Sequence, residues 1–299
     1  MRVLISGASG LIGTAIQPAL ASAGHTSSAL VRRTPAADQV QWAPGRSFDP
    51  HRLAGFDAIV HLAGKSISGR WSDRFKQEVR ESRLLGTQTL ATAAAESFLK
   101  TGLPRVFVAA SATGYYGNRG DEELTENSKP GSGFLAEVCK EWEAAARPAE
   151  EAGIRVASLR IGVVLAKHGG ALSAMLPAFR LGLGGPISNG RQFWSWITLD
   201  DVAGAFLFVL GNDRVQGPVN AVAPQAVRNS DFVHALGKTL NRPAIFPLPA
   251  FVVRTLFGEM GDALLLGSAR VRPAKLGAAG FRFRHPELNE ALRSVLTQP

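Results

Sequence analysis

Two hydrophobic periods alternate along the 299 residues of the chain. Near-continuous apolar runs of strand length occur at 3–5, 26–33, 57–64, 105–112, 155–166 and 218–223, the pattern of parallel strands covered on both faces. Between them lie stretches at helical spacing. In 70–97, Phe75, Val79, Leu84, Leu85, Leu90 and Ala94 share one broad side, while Lys76, Glu78, Arg80, Glu81 and Arg83 fall mostly elsewhere, as on a solvated face. Residues 134–151 are rich in Ala and Glu, and 198–210 carry Val202, Ala205, Phe206 and Val209 behind a cap from Thr198 or Asp200. The stretch 41–56 is polar and turn-rich, and glycines from Gly169 to Gly190 frame loops around a short helix. Beyond Asn229 the pattern predicts helices over 230–240, 250–266 and 287–296, separated by prolines.

The first apolar run passes into Gly7, Gly10 and Gly13, at G-x-x-G-x-x-G spacing, just where the helical period begins. That context assigns each glycine a task. Gly7 allows the tight strand-to-helix turn, Gly10 lets a pyrophosphate approach the backbone, and Gly13 lets helix and strand pack closely. Ser9 adds a hydroxyl, and the helix opening at Leu11 and Ile12 presents N–H groups to the anion. Strands alternating with helices around this fingerprint predict an α/β chain. It is a Rossmann-like, doubly wound parallel sheet over 1–224, with 225–299 as a smaller, mainly helical substrate or lid domain to which 167–190 contribute.

At the end of the second strand an acidic residue would bind an adenosine ribose, whereas arginine accommodates a 2′-phosphate. Arg32 and Arg33 stand there, either as an ordinary basic turn or as a preference for NADP over NAD. The third run closes on Leu62, Ala63 and Gly64, where a cofactor would cross a strand end.

Composition narrows the picture. The chain is 45% hydrophobic and 8% aromatic, enough for a substantial core. Its single cysteine, Cys139, excludes an intramolecular disulfide and suits a reducing compartment. With no signal-like segment before the first strand and no apolar run of membrane-spanning length, a soluble, cytoplasmic protein with no membrane partner is expected. The net charge of +9 is spread from Arg2 to Arg293 without a nucleic-acid-binding motif, so it reads as a solvated surface with an anion site. No metal-ligand set is read.

The run 105–112 leads into Ser111, and Tyr115 and Tyr116, the chain's only two tyrosines, follow within five residues. Ser111 could donate to a substrate oxygen. Either phenol could donate a proton if a cation lowered its pKa from about 10, or both could be packed rings. Lys140, in the following helix, is the nearest candidate cation.

The motifs GASGLIG, HLAG, ASATGYYG, RVASLRIGVVLA and WITLDDVAGA, in this order over 1–223, resemble the extended short-chain dehydrogenase/reductase superfamily. More narrowly, RWSDRFKQEVRESR, GYYGNRGDEELTE, FRLGLGGPISNGRQFWSWITLDD and the tail GEMGDALLLGSARVRP resemble the YfcH-like family of sugar-nucleotide epimerases. That family has a C-terminal region of unknown function, here about 246–296. The resemblance implies a small-molecule substrate of undefined identity and a homodimer, with Glu78 and Arg83 beside the nucleotide. Some members carry a cell-division-inhibitor label. The superfamily's Tyr-x-x-x-Lys pair is missing: counting back from Lys140 reaches Ala136, and aligning on Glu143 gives Leu135 and Cys139.

Overall fold

The computed structural model describes residues 1–297. Seven parallel strands, β1 (Arg2–Ser6), β2 (Thr26–Val31), β3 (Gln39–Gln41), β4 (Ala58–His61), β5 (Val106–Ala112), β6 (Arg155–Ile161) and β7 (Gly217–Ala221), form one sheet in the order β7-β6-β5-β4-β1-β2-β3. The order reverses between β1 and β4. The carboxyl ends of those two strands therefore border the crevice in which such sheets hold ligands.

The longer helices are α1 (Leu11–Ser22), α2 (Asp73–Thr101), α3 (Phe134–Ala144), α4 (Gly170–Arg180), α5 (Leu199–Gly211), α6 (Asn229–Leu240), α7 (Ala250–Phe257) and α8 (Leu288–Thr297). The two-residue period of the strands sorts their side chains between two layers. Val3, Ile5, Val60, Val108 and Leu159 pack beneath Ile16 and Leu20 of α1 and Val202 and Phe206 of α5. On the other face Leu4, Ile59, Phe107 and Val156 meet Leu90 and Ala94 of α2. A third buried cluster joins Leu176 and Phe179 of α4, Trp194, Trp196, Phe232 and Leu236 of α6, Val253 of α7 and Leu292 of α8.

Several predicted elements change in detail. Just ahead of the polar stretch lies β3, a three-residue edge strand reading Gln-Val-Gln, too short to show an apolar period. The helix over 134–151 is two, Phe134–Ala144 and Arg147–Glu151, the second starting at a proline-bearing first turn. The run 155–166 breaks at Gly162, where a Cβ would lie 2.5 Å from the Ser195 carbonyl oxygen. Val163–Leu165 then leaves the sheet to pair with Trp196–Thr198. The helix expected over 250–266 is interrupted at Gly258, whose φ of 55° with ψ of −139° is a glycine conformation, and helical turns resume over Glu259–Gly261 and Asp262–Leu266.

The two cores do not part at residue 224. Leu276 is buried in the sheet core, Phe281 and Phe283 pack against it, and Arg270–Val271 pairs with Glu123–Leu124. Among the described residues no helix is long and apolar enough to cross a membrane.

Candidate functional site

The glycine fingerprint opens at the crevice. Gly7 has a φ of 72°, and a Cβ there would sit 2.9 Å from the backbone of Leu62 and Ala63 at the end of β4. A Cβ on Gly13 would come within 2.3 Å of the Gly7 carbonyl oxygen, so this glycine sets how closely α1 approaches β1. Gly10 is the residue just before α1 and donates its N–H to the Gly7 carbonyl at 3.0 Å, and it is exposed together with Ser9. Leu11 and Ile12 follow in the first turn, where N–H groups lack helical partners. Such a backbone cradle, bare of side chains and at a helix N-terminus, fits a dinucleotide pyrophosphate. Arg32 and Arg33 are exposed just past the end of β2.

The ends of β1 and β4 are tied together. Ser6 Oγ accepts from the N–H groups of Leu62 (3.1 Å) and Ala63 (3.2 Å) and bonds His61 Nδ1 at 2.6 Å. Burial pushes the His61 imidazole down to about 3, so it is neutral at physiological pH.

The charges of α2 are more engaged than a solvated face would be. Arg83 donates from Nη1 to the Lys65 carbonyl at 2.9 Å and lies over the Trp142 ring, with burial lowering its pKa. Glu78 pairs with Lys65 and with Arg74, and the Lys65 contact above all lowers its pKa. These two residues fasten the loop that continues from Gly64. Arg80 reaches Glu137 and Glu141 of α3, and Lys76 reaches Glu259 beyond α7. Long side chains on a 29-residue helix have found carboxylates on its neighbours instead of water.

A polar row crosses the sheet beside the crevice. Register places Ser111 of β5 opposite Arg160 of β6, and Arg160 opposite Asn220 of β7, all at carboxyl ends. α3 lies over them and contributes Glu143. Arg160 grips both Glu143 oxygens at 2.8 Å, and Ser111 Oγ donates to Oε1 at 2.7 Å. Arg160 is 2% exposed; burial opposes its charge, but the hydrogen bonds and charge of Glu143 prevail and raise its pKa. Arg160 Nη1 also donates to the Tyr116 phenol at 2.9 Å, and the phenol donates its one proton towards Asn220 Oδ1 at 2.7 Å.

This geometry revises the candidate proton donors. Tyr116 is fully buried, and burial pushes its phenol up to about 12, a value unsuited to proton donation near neutrality. Tyr115 is half-buried with Arg160 stacked 3.4 Å from its ring centroid. The cation beside both rings is thus Arg160. Lys140 is exposed, because α3 turns Ala136, Cys139 and Trp142 inward instead. Cys139 is no substitute nucleophile, since burial pushes its thiol up to about 12. Arg160 and Glu143 are not among the sequence candidates, although an arginine inside the apolar run RVASLRIGVV signals a buried carboxylate partner.

A cavity of about 380 Å³ lies elsewhere, between α6 and the start of α8, lined by Trp196, Gln225, His234, Lys238 and Glu287 among others. No fingerprint residue borders it.

Residues 3–222 match the NAD dependent epimerase/dehydratase family over most of the chain. The chain belongs to that family. Residues 248–295 of this family member also match a domain of unknown function. An epimerase family protein of Mycobacterium tuberculosis is 44% identical over 99% of this chain and 98% of its own. The crystal structure of human epimerase family protein SDR39U1 (isoform 2) with NADPH has a TM-score of 0.89 and 36% identity, covering 99% of both chains. A nucleoside-diphosphate sugar epimerase from Corynebacterium glutamicum gives a TM-score of 0.82 and 35% identity, over 99% of this chain and 58% of that one.

Proposed function

We propose that this chain is an NADP-dependent oxidoreductase or epimerase of the atypical extended short-chain dehydrogenase/reductase type, close to the YfcH-like group, acting on a small polar substrate such as a nucleotide sugar. The hydrogen bond from Ser111 to Glu143, at the strand end next to β4, carries the reading. Bound NADP would supply the hydride acceptor or donor. Ser111 Oγ has lone pairs left to accept the proton of a substrate hydroxyl while its own proton passes to Glu143 Oε1, and the reverse transfer returns a proton to a carbonyl oxygen. The human relative's NADPH and the name of the Corynebacterium relative support the cofactor and substrate class.

The test begins with the purified protein, its bound nucleotide, and a screen of sugar nucleotides and carbonyl compounds by nicotinamide absorbance. On a substrate so found, Ser111→Ala should lower kcat by about 10²–10⁴-fold and leave NADP affinity unchanged. Tyr116→Phe, at a buried and committed phenol, should leave kcat within a few-fold; the opposite ranking would reinstate the tyrosine.

The cofactor preference is tested apart from turnover. Arg32 is exposed at the end of β2 and free to meet a 2′-phosphate, so Arg32→Ala should weaken NADP by about tenfold to a hundredfold and spare NAD. Equal weakening of both nucleotides in titration calorimetry would make Arg32 a surface charge only.

A second reading, a non-catalytic NADP sensor that reports to a partner, for example in cell division, is favoured by the missing Tyr-x-x-x-Lys. Tight NADP binding with silence across the screen would select it.

A further inference from the structure

The part of the surface farthest from the expected chemistry of a soluble enzyme is at the C-terminal end of α4. Gly169 and Gly170, before and at the start of that helix, lie against Leu11, close to the fingerprint. Its 11 residues carry the chain about 16 Å away from there. Where α4 ends, Leu181 is 75% exposed and Leu183 59%.

A second loop lies beside them. Phe246 N–H donates to the Gly184 carbonyl at 3.1 Å, Leu248 N–H to that of Pro186 at 2.9 Å, and Arg242 Nε to that of Arg180 at 3.0 Å. This loop adds Ile245, 71% exposed, and Phe246, and it runs into α7, of which only Val253 is buried and which shows Phe251 to solvent. Four large apolar side chains on two adjoining tips, with Phe251 on the helix that follows, form an apolar cluster that a water-facing surface does not need.

Charge identifies the occupant. Neither 171–198 nor 232–258 contains an aspartate or a glutamate, while Arg180 and Arg242, both exposed, stand at the roots of the two tips. A second copy docked by the same face would set these arginines against their equivalents. A protein groove would have to receive side chains that project singly from loops and from an exposed helix. Protruding apolar groups with an arginine at the root of each tip match instead a bilayer surface, whose headgroups are anionic and whose interior accepts leucine, isoleucine and phenylalanine.

We propose that the paired tips 180–183 and 242–246, with Phe251, dock this protein peripherally on anionic membranes. The expectation of no membrane partner rested on the lack of a spanning segment, and interfacial docking does not require one.

The experiment is co-sedimentation of the full chain with phosphatidylglycerol/phosphatidylcholine vesicles, compared with phosphatidylcholine alone and with soluble polyglutamate as a competitor. The expected result is pelleting with the anionic vesicles only, weakened by salt. Arg180→Gln with Arg242→Gln should lower the vesicle partition coefficient about 30-fold, and Leu181→Asp with Ile245→Asp should remove pelleting, with circular dichroism and NADP binding unchanged in both. No pelleting of the parent protein at low salt would overturn the proposal. So would variants that pellet like the parent, or polyglutamate binding without vesicle binding, which would point to an acidic polypeptide. The NADP reading stands or falls separately, since none of these residues lies at the fingerprint.

Discussion

Arg160→Met is expected to lower the unfolding free energy by about 3–5 kcal/mol, the range for removing one partner of a buried ion pair. The guanidinium is 2% exposed, and its partner's side chain 16%. Once it is gone, the Glu143 carboxylate keeps only the Ser111 hydroxyl among these contacts, and the Tyr116 phenol loses its donor. Methionine fills part of the volume, so the loss comes mainly from the stranded charge and not from a cavity. The corresponding fall in melting temperature is on the order of 10 °C. Adding Glu143→Leu removes the stranded carboxylate and should recover most of the loss, as apolar replacements of buried pairs often do. Denaturant titrations of the parent, the single and the double variant decide it: equal midpoints for parent and Arg160→Met would mean that the pair contributes nothing to stability.

Gly13→Ala should abolish measurable dinucleotide binding, a loss of at least about a hundredfold, and lower stability by about 1–3 kcal/mol. The added methyl would meet the Gly7 carbonyl oxygen at 2.3 Å and Ala8 Cα at 2.7 Å. Both are backbone atoms, so relief requires α1 to move away from β1, and the N–H groups of its first turn move with it. Gly10→Ala is the contrasting case. Its Cβ meets only the Gly7 oxygen, at 3.3 Å, in an exposed turn, so the fold should tolerate the methyl while a pyrophosphate approaching the backbone does not. Thermal denaturation with and without NADP separates the two effects. A Gly13→Ala protein that keeps both its midpoint and its nucleotide affinity would contradict the packing role.

The sheet could be read from the sequence because doubly covered strands are long apolar runs and the glycine spacing is a local geometric demand. Gly7 and Gly13 stand where only glycine fits, and the pattern alone assigned their tasks. β3 escaped because three residues at a sheet edge carry no apolar period. The polar grouping around Ser111 escaped for another reason. Ser111, Glu143, Arg160 and Asn220 are brought together by strand register and by the helix above, across as many as 109 positions from Ser111 to Asn220, and a register is not written in any one stretch. Lys140 is the expected cation because it lies in the helix that follows the tyrosines, yet helical rotation carries it out to solvent while Arg160 arrives from a neighbouring strand.

The chain's path between its two cores bears on how it is made. It builds six strands of the sheet, enters the second core with Leu165 and α4, returns to the first with α5 and β7, enters the second again with α6 and α7, adds Leu276 to the first, and closes the second with α8. The first core lacks Leu276, and the second Leu292 and Val295, until those late residues have been synthesised. On the ribosome the protein therefore cannot finish one half and then the other, and the nascent sheet must wait, with part of its apolar cover missing, for residues still inside the exit tunnel.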